Sequence, residues 1–398
     1  ETDADVDGFF HKWLQDARDS QAENGMYPDV IPKVRVVGWG GAAWSDAGII
    51  VPYTMWKMYA DTDIIREHYA SMERYMDWLA TTDLSGPNAT YGDWLAYEPT
   101  DARYISVAYY ALDARYMAAM SRAIDRADRA AHYDSLFEQV RDHFRRIYCN
   151  AEGDLNPEVR TQTGYLLALR NDLLLPERRP AAVAALKQKI IDNGYKLSTG
   201  FVGSCILNEV LAEFGENNLA YSLLLQTENP SWLYSVHQGA TTIWERWNSY
   251  TKATGFGDVG MNSFNHYAYG AVQEWMYRHI AGIETTEQAP GFAHPILQPK
   301  PDTRSAEEIP AGQEKITWVR TSFASPVGLI ESAWDMTDGF TYTCRVPVAA
   351  TLHLPLIGNA ETLVINGVAH KPDEFRLCPV GKGVTIELAP GAYTIEQK

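Results

Sequence analysis

One carboxylate in the sequence stands between two tryptophans and beside an arginine. It is Glu245, in the stretch GATTIWERW that runs from Gly239 to Trp247, with Trp244 before it and Trp247 after it. A carboxylate among indole rings suits a site where a sugar ring stacks while a water molecule or a hydroxyl is activated. The alternative is a buried Glu245–Arg246 ion pair in an aromatic core. This segment alone does not decide between the two.

Two further acidic residues also stand near tryptophans, in separate parts of the chain. Asp46 lies in WSDAG, two residues after Trp44, and Asp93 lies in YGDWL, next to Trp94. Glycosidic cleavage needs a carboxylic acid to protonate the leaving oxygen and a second carboxylate, which in an inverting enzyme is a base on water. Each acid also has a structural interpretation, because Asp46 can cap a helix and Asp93 can order its loop. The recurrence of the pattern favours a sugar cleft.

A histidine follows in the stretch MNSFNHYAYG, from Met261 to Gly270. His266 can hydrogen-bond a substrate hydroxyl, and it can equally be a satisfied structural residue beside Tyr267. The ten histidines are scattered without HxH or HxxxH spacing, so the sequence predicts no metal site. It has no GxSxG, Walker or dinucleotide-binding glycine pattern, and we expect no cofactor.

Helical periodicity dominates the chain up to about residue 283, with long aromatic and acidic loops between successive helices. This pattern predicts a ring of helix pairs with a site built from the loops at one end. A helical solenoid is the alternative, but no fixed repeat period supports it. The predicted helices cover about 6–21, a segment from 46 onward, 63–79, 104–126, 132–148, a segment from 161, 180–192, 205–214, 217–226, 232–238 and 264–280.

The sequence period changes to two in the last part of the chain. Residues 285–313 are rich in proline, glycine and charge, which indicates a boundary, and strands follow at about 316–320, 328–333, 340–346, 350–356, 361–365 and 384–388. Turn signals such as Asp338-Gly339 and Asn366-Gly367 stand between them. We therefore predict a mainly α protein with a helical domain at 1–284 and a small antiparallel β-domain at 285–398.

Composition limits the partners. The 398 residues carry a net charge of −17, which argues against a polyanion such as DNA. No apolar run approaches the ~20 residues of a membrane span, so we expect no membrane partner. The 12 tryptophans and 23 tyrosines exceed what a core alone needs and suit a carbohydrate cleft. The compartment stays undetermined, and a secreted or periplasmic location is compatible with the sequence.

The motifs together resemble the family 78 glycoside hydrolases, the α-L-rhamnosidases. The matching stretches are VDGFFHKWLQDARDSQ, GWGGAAWSDAGIIVPYTMW, YGDWL, TQTGYLLALR, STGFVGS, NPSWLYSVHQGATTIWERW and MNSFNHYAYGAV. They occur in the family's order from about Val6 to the helix near Ile280, and the following β-domain matches in position. YGDWL alone is not specific, whereas the set is.

The resemblance implies an (α/α)6 barrel followed by a β-sandwich, and an inverting release of terminal α-L-rhamnose from glycosides or polysaccharides. By position, Glu245 resembles the family's general base. The residues that resemble sugar-contacting positions are Asp46, Trp44, Trp94 and His266, with Asp93 a weaker candidate and Trp39 competing with Trp44 for one role. Trp244 and Trp247, which flank the base, are further candidates for the sugar site.

One departure from the family matters for activity. The family's general acid is a glutamate in an Asp/Arg-rich motif upstream of the helix that opens this chain, and that motif is absent here. We expect a barrel that lacks its first helices, a chain that is nearly inactive alone, and a partner in the N-terminal part of the same polypeptide. The alternatives are a non-catalytic carbohydrate-binding protein and an (α/α)6 glycosidase for another sugar.

Overall fold

Helices fill the first part of the chain and strands the last part, as the change of sequence period predicts. The computed structural model describes residues 6–35, 38–87, 91–379 and 381–398. The α-helices of these ranges are α1 (Asp7–Asp19), α2 (Ala47–Tyr59), α3 (Thr62–Ala80), α4 (Ala102–Ala123), α5 (Ala127–Tyr148), α6 (Gln162–Arg170), α7 (Arg179–Asp192), α8 (Phe201–Glu213), α9 (Asn217–Leu224), α10 (Trp232–His237) and α11 (Val272–Trp275). None of them has the length and apolarity to cross a membrane.

Alternate helices differ in how much of their surface is buried. The helices α3, α5 and α7 bury one face, at positions three or four residues apart, as amphipathic outer helices do. In contrast, α4, α6 and α8 bury most of their residues, which places them inside. These inner helices are apolar on all faces because each face packs against a neighbouring element.

The inner helices form a ring. Helix α2 packs on α4, α4 on α6, α6 on α8, and α8 on α11, while α1, α3, α5 and α7 lie against this ring from outside. Because an outer helix returns the chain between successive inner helices, the inner helices run parallel and their N-terminal ends meet at one end of the ring. The loops that hold the candidate site residues lie at this end.

A groove separates the two ends of the ring. It has a volume of about 780 Å³ and lies between α2, which contributes Ile50, Tyr53 and Lys57, and the last helical segment, which contributes Gln273 and Tyr277. The ring of five inner segments is therefore open on one side, as the prediction of a barrel without its first helices requires.

The predicted helix at 264–280 is shorter than expected. Residues Ala268–Ala271 form a 3₁₀ turn, α11 follows, and Met276–Ile280 forms a π turn. The start differs because the Ser263 and His266 backbones are bonded to the Glu245 segment instead of to a helical turn. Tertiary pairing thus overrides the local helical pattern.

The last part of the chain forms two sheets whose inner faces are apolar. Its strands are β3 (Ile283–Glu284), β4 (Ile296–Leu297), β5 (Trp318–Ser325), β6 (Gly328–Asp335), β7 (Phe340–Val346), β8 (Ala350–Pro355), β9 (Leu363–Ile365), β10 (Val368–His370), β11 (Arg376–Leu377), β12 (Gly383–Leu388) and β13 (Gly391–Gln397), while β1 (Tyr250–Thr251) and β2 (Gly255–Phe256) form a separate hairpin. The sheet orders are β10-β9-β13-β7-β6-β5 and β11-β12-β8-β4-β3. Every pairing is antiparallel except β4 with β8.

The helical and β regions are joined by specific contacts. The Trp334 indole donates to the Ile280 carbonyl at 2.9 Å. Ser332 donates to the Ala281 carbonyl at 2.6 Å. Strand β3 belongs to the second sheet although it precedes residue 285, so the sheet begins before the proline-rich segment starts. The boundary at 284/285 stays a prediction.

Candidate active site

The Glu245 carboxylate is held by the backbone of a neighbouring segment. Its Oε2 accepts a hydrogen bond from the Ser263 N–H at 2.8 Å, and the Glu245 N–H donates to the Ser263 carbonyl at 2.9 Å. Arg246 turns to Met261, where its Nε donates to the carbonyl at 3.1 Å. The two neighbours therefore bind the 261–263 segment rather than each other. Glu245 is half-buried, which leaves its carboxylate open to a ligand.

His266 lies beside this carboxylate with a defined tautomer. The Ala268 N–H donates to its Nδ1 at 3.3 Å, so the neutral ring has its proton on Nε2. Burial lowers the pKa of His266, while the negative charge of Glu245 acts to raise that pKa. A neutral ring of this kind presents an N–H donor, which suits a sugar hydroxyl.

Two groups of aromatic rings, joined by a backbone hydrogen bond, lead from His266 to the Asp46 loop, and we call this set the aromatic line. The His266 ring lies 4.7 Å from the Phe201 ring, and the Phe201 N–H donates to the Trp94 carbonyl at 2.9 Å. Tyr91 lies 6.1 Å from Trp94 and 4.8 Å from Trp44, measured between ring centroids. The line therefore joins three loops at one end of the ring of helices.

Trp39 and Trp44 share a loop but have different surroundings. Trp44 contacts Tyr91 and so belongs to the aromatic line. Trp39 carries the Lys33 ammonium 3.9 Å from its ring centroid, which covers one face by a cation–π contact. Both indoles are half-buried. Only the second face of Trp39 is open to a sugar.

Asp93 is fully engaged with the start of α8. Its carboxylate accepts hydrogen bonds from the Gly200 and Val202 N–H groups, both at 2.8 Å, and from the Gly203 N–H at 3.3 Å. The Thr163 hydroxyl donates to it at 2.5 Å. Burial raises the pKa of Asp93, against the lowering effect of these donors. The carboxyl joins α6, α8 and its own loop, as the loop-ordering interpretation describes.

Asp46 is also directed inward. Although it immediately precedes α2, its side chain makes no capping bond to that helix. Instead it accepts from the Ala43 N–H at 2.5 Å and from the Tyr75 hydroxyl at 2.8 Å. Only 1% of its surface is exposed, and its hydrogen bonds stabilise the loop from inside the protein.

The two tryptophans that flank Glu245 are packed inside the protein. Trp247 stacks on Tyr269 with the ring centroids 3.8 Å apart and has an edge contact with Trp232. Trp244 packs against Phe264 at 5.3 Å. Both are almost fully buried. These two side chains are part of an aromatic core, as the structural alternative for this segment describes.

Three residues of the site were not singled out from the sequence. Tyr91 and Phe201 complete the aromatic line, and both lie in the motifs YGDWL and STGFVGS. Asp29 accepts from the Gly41 N–H at 2.7 Å and from the Ser45 hydroxyl at 2.9 Å, and so fixes the tryptophan loop. Its only sequence signal is its place after Pro28.

One group of side chains among the described residues has donors close enough for a metal. His11 Nε2 lies 2.8 Å from Asp61 and 3.7 Å from Asp7. Asp61 caps α3 and Asp7 lies in the first turn of α1. The positive ends of two helices oppose a metal ion there, and the hydrogen bond between His11 and Asp61 accounts for the contact. The expectation of no metal stays a prediction.

Comparison with known proteins identifies both regions. A family model described as the bacterial alpha-L-rhamnosidase 6 hairpin glycosidase domain matches residues 1–280. A second, described as the bacterial alpha-L-rhamnosidase C-terminal domain, matches residues 282–368. The helical ring and the β region thus each correspond to a domain of the same family.

Curated relatives and solved structures agree with this result. An alpha-L-rhamnosidase of Streptomyces avermitilis is 37% identical over 86% of this chain and 32% of its own length. One of Formosa agariphila is 37% identical over 91% of this chain and 39% of its own length. The crystal structure of the Streptomyces avermitilis enzyme complexed with L-rhamnose superposes with a TM-score of 0.87, at 32% identity, over 99% of this chain and 36% of that one.

A structure of alpha-L-rhamnosidase from Dictyoglumus thermophilum also has a TM-score of 0.87, at 27% identity, over 99% of this chain and 44% of that one. The chain therefore spans well under half the length of these relatives. On the match of its helical ring and its β region, the chain belongs to the bacterial α-L-rhamnosidase family.

Proposed function

We propose that the polypeptide containing this chain is an inverting glycoside hydrolase that releases terminal α-L-rhamnose from glycosides or polysaccharides. The observation that carries the proposal is the Glu245 carboxylate, fixed by Ser263 and placed beside His266 at the end of the aromatic line. A carboxylate with one oxygen bonded to a backbone N–H keeps its second oxygen for a water molecule. Glu245 then acts as the general base.

The sugar contacts follow from the same arrangement. In this proposal His266 donates its Nε2 proton to a rhamnose hydroxyl, and Trp44 and Trp94 offer ring faces to the C–H side of the sugar. Trp39 adds a contact through the face that Lys33 leaves open. Asp46 and Asp93 act indirectly, because their oxygens already accept hydrogen bonds from donors within the protein. Trp244 and Trp247 support the Glu245 segment from within the core.

The general acid is proposed to come from the N-terminal part of the same polypeptide. Residues of α2 from Ile50 to Met58 line the groove between α2 and the last helical segment, and Tyr267, next to His266, lines it as well. A helix seated there completes the ring and brings its N-terminal loop to the end where Glu245 lies. An inverting enzyme requires this second carboxyl at ~6.5–9.5 Å from the base.

The test uses the full-length polypeptide and an aryl α-L-rhamnoside. We expect release of β-L-rhamnose as the first product, detected by NMR before mutarotation, and a rate reduced by a factor of about 10²–10⁴ in Glu245→Gln. Asp258→Asn is the matched control, because this exposed carboxyl follows the β1–β2 hairpin and accepts a hydrogen bond from the Gly260 N–H. Unchanged turnover in Glu245→Gln contradicts the assignment of the base.

Two further outcomes separate the alternatives. Binding of rhamnose without hydrolysis by the full-length protein supports a non-catalytic binding protein. Turnover of another aryl glycoside in preference to the rhamnoside supports a barrel glycosidase for a different sugar. The chain studied alone is expected to be nearly inactive, because its ring lacks one inner helix and the acid.

A further inference from the structure

Behind the tryptophan loop, two aspartates meet in the interior of the ring. Asp46 precedes α2, and Asp113 lies in the middle of α4 with none of its surface exposed. Each is the hydrogen-bonding partner of the other. The ion pairs formed by the described residues include neither of them, so no arginine or lysine neutralises the pair. Two buried negative charges this close are strongly unfavourable.

The donors around the pair are unevenly distributed. Asp46 accepts from the Ala43 N–H and from the Tyr75 hydroxyl. Neither oxygen of Asp113 receives a hydrogen bond from an N–H or a hydroxyl of the described residues. Carboxylates are acceptors only, so a hydrogen bond between the two acids requires a proton on one of them. The donors favour a charged Asp46, which leaves the proton to Asp113.

We propose that Asp46 and Asp113 form a buried acid pair with a single proton held on Asp113, and that this pair positions Trp44 at the sugar site. Asp113 donates that proton to Asp46, and Asp46 in turn holds the Ala43 N–H. The pair is a positioning device, since neither acid reaches the cleft.

The backbone conformation of Ala43 explains why the loop needs a stabilising contact from Asp46. Its φ is +71°, in the left-handed region that a residue with a Cβ rarely adopts. The next residue, Trp44, contacts the Tyr91 ring. A strained residue persists where its surroundings hold it, and the Asp46 carboxylate bonded to its N–H is such a contact.

The groups that face the pair are uncharged phenols. Tyr75 on α3, Tyr110 on α4 and Tyr27 from the loop after α1 all lie close to Asp113. Burial, followed by the charge of Asp46, holds the pKa of Asp113 well above the ordinary range of a carboxyl. Asp113 is therefore the member of the pair that keeps its proton.

The first experiment is independent of the proposed function. The infrared spectrum of the full-length protein at pH 7 contains the C=O stretch of each protonated carboxyl, apart from the carboxylate bands. We expect wild type minus Asp113→Asn to show the loss of one such band, and wild type minus Asp258→Asn to show none. If the Asp113→Asn difference lacks the band, the proton is not on Asp113 and the proposal is overturned.

The second experiment addresses positioning and rests on the proposed function. An amide at position 113 still donates to Asp46, so Asp113→Asn should keep kcat/KM within about twofold at pH 7. Asp46→Asn should lose at least about tenfold, mainly through KM, because Trp44 shifts. In wild type, KM should rise with pH over the range in which Asp113 loses its proton, and Asp113→Asn should not show this rise. Equal losses in both variants, or an identical rise of KM with pH, contradict the positioning role.

These two readouts separate the possible failures. A protein without rhamnosidase activity still reports the proton through the infrared band, so the proposed function can fail alone. Where Asp46→Asn does not fold, Tyr75→Phe replaces it, since it removes one of the two donors to the charged Asp46 while it keeps the packing. We expect Tyr75→Phe to raise KM by a smaller factor than Asp46→Asn does. An unchanged KM in Tyr75→Phe contradicts the positioning role of Asp46.

Discussion

Asp93 and Glu245 have nearly the same sequence context and opposite surroundings. Both are acids next to a tryptophan at the same end of the helical ring. Asp93 accepts from three backbone N–H groups and a hydroxyl, whereas Glu245 accepts from the single N–H of Ser263. A carboxylate whose lone pairs are all used can only hold structure, while one with an open oxygen can act on a ligand. The local motif therefore does not separate support from chemistry.

The same contrast holds for the tryptophans. Trp247 lies in the core against Tyr269, and Trp44 stands half-buried at the end of the aromatic line. Both belong to short motifs rich in aromatic and acidic residues. Their different burial implies that one contributes mainly to stability and the other mainly to binding.

The largest expected effect on stability is that of Trp247→Ala. This change removes a fully buried indole stacked on Tyr269, so we expect a loss of about 3–5 kcal/mol in the free energy of unfolding. Trp44→Ala, the matched variant, should lose less than about half of that, because its ring is partly exposed. Urea unfolding followed by circular dichroism measures both. Equal losses would show that Trp44 is as much a core residue as Trp247.

The second prediction compares the two acids by isosteric replacement. In Asp93→Asn an NH₂ group takes the place of an accepting oxygen and faces N–H donors, which should lower stability by about 1–3 kcal/mol. Glu245→Gln should change stability by less than about 0.5 kcal/mol, because its carboxyl is partly exposed and has one backbone donor. Thermal unfolding of both variants tests this. If Glu245→Gln is the more destabilised of the two, our division between support and chemistry is wrong.

Much of the fold could be predicted from periodicity, and the exceptions have a common cause. The predicted spans of α3 and β7 match the observed ones closely because their apolar positions repeat at a regular interval over many residues. The helix predicted from 264 begins later, since Ser263 and His266 pair with a segment about twenty residues earlier. The short strands β3 and β4 depend on the distant β8. Such pairings leave no periodic signal in the local sequence.

For the candidate site, the sequence predicted which types of residue are present but not how they are arranged. The sequence indicated Glu245, His266 and the tryptophans, but it could not give their orientation. Asp113 had no signal at all, because a single acid within the apolar helix α4 reads as an interruption of the pattern. Its partner Asp46 stands 67 positions away in sequence. Burial and pairing over that distance are properties of the packed ring.

The smallest effect concerns the electrostatic link between Glu245 and His266. Burial places the pKa of His266 below its ordinary 6.5, and the Glu245 charge partly opposes that shift. Glu245→Gln removes the opposing charge, so the pKa of His266 should fall further. NMR titration of the histidine ring measures the change, and Asp258→Asn should leave the pKa as it is in wild type.

The sign of the shift also fixes a pH dependence of stability. A histidine whose folded pKa lies below its unfolded value binds fewer protons in the native state, so it destabilises the fold as pH falls below about 6.5. This part of stability is present above pH 6.5 and is lost as the pH falls through the folded pKa. Glu245→Gln should enlarge the loss, since it widens the gap between the two pKa values. An unchanged pKa of His266 in Glu245→Gln would mean that the two side chains are not neighbours, and the open carboxylate would lose its partner at the sugar site.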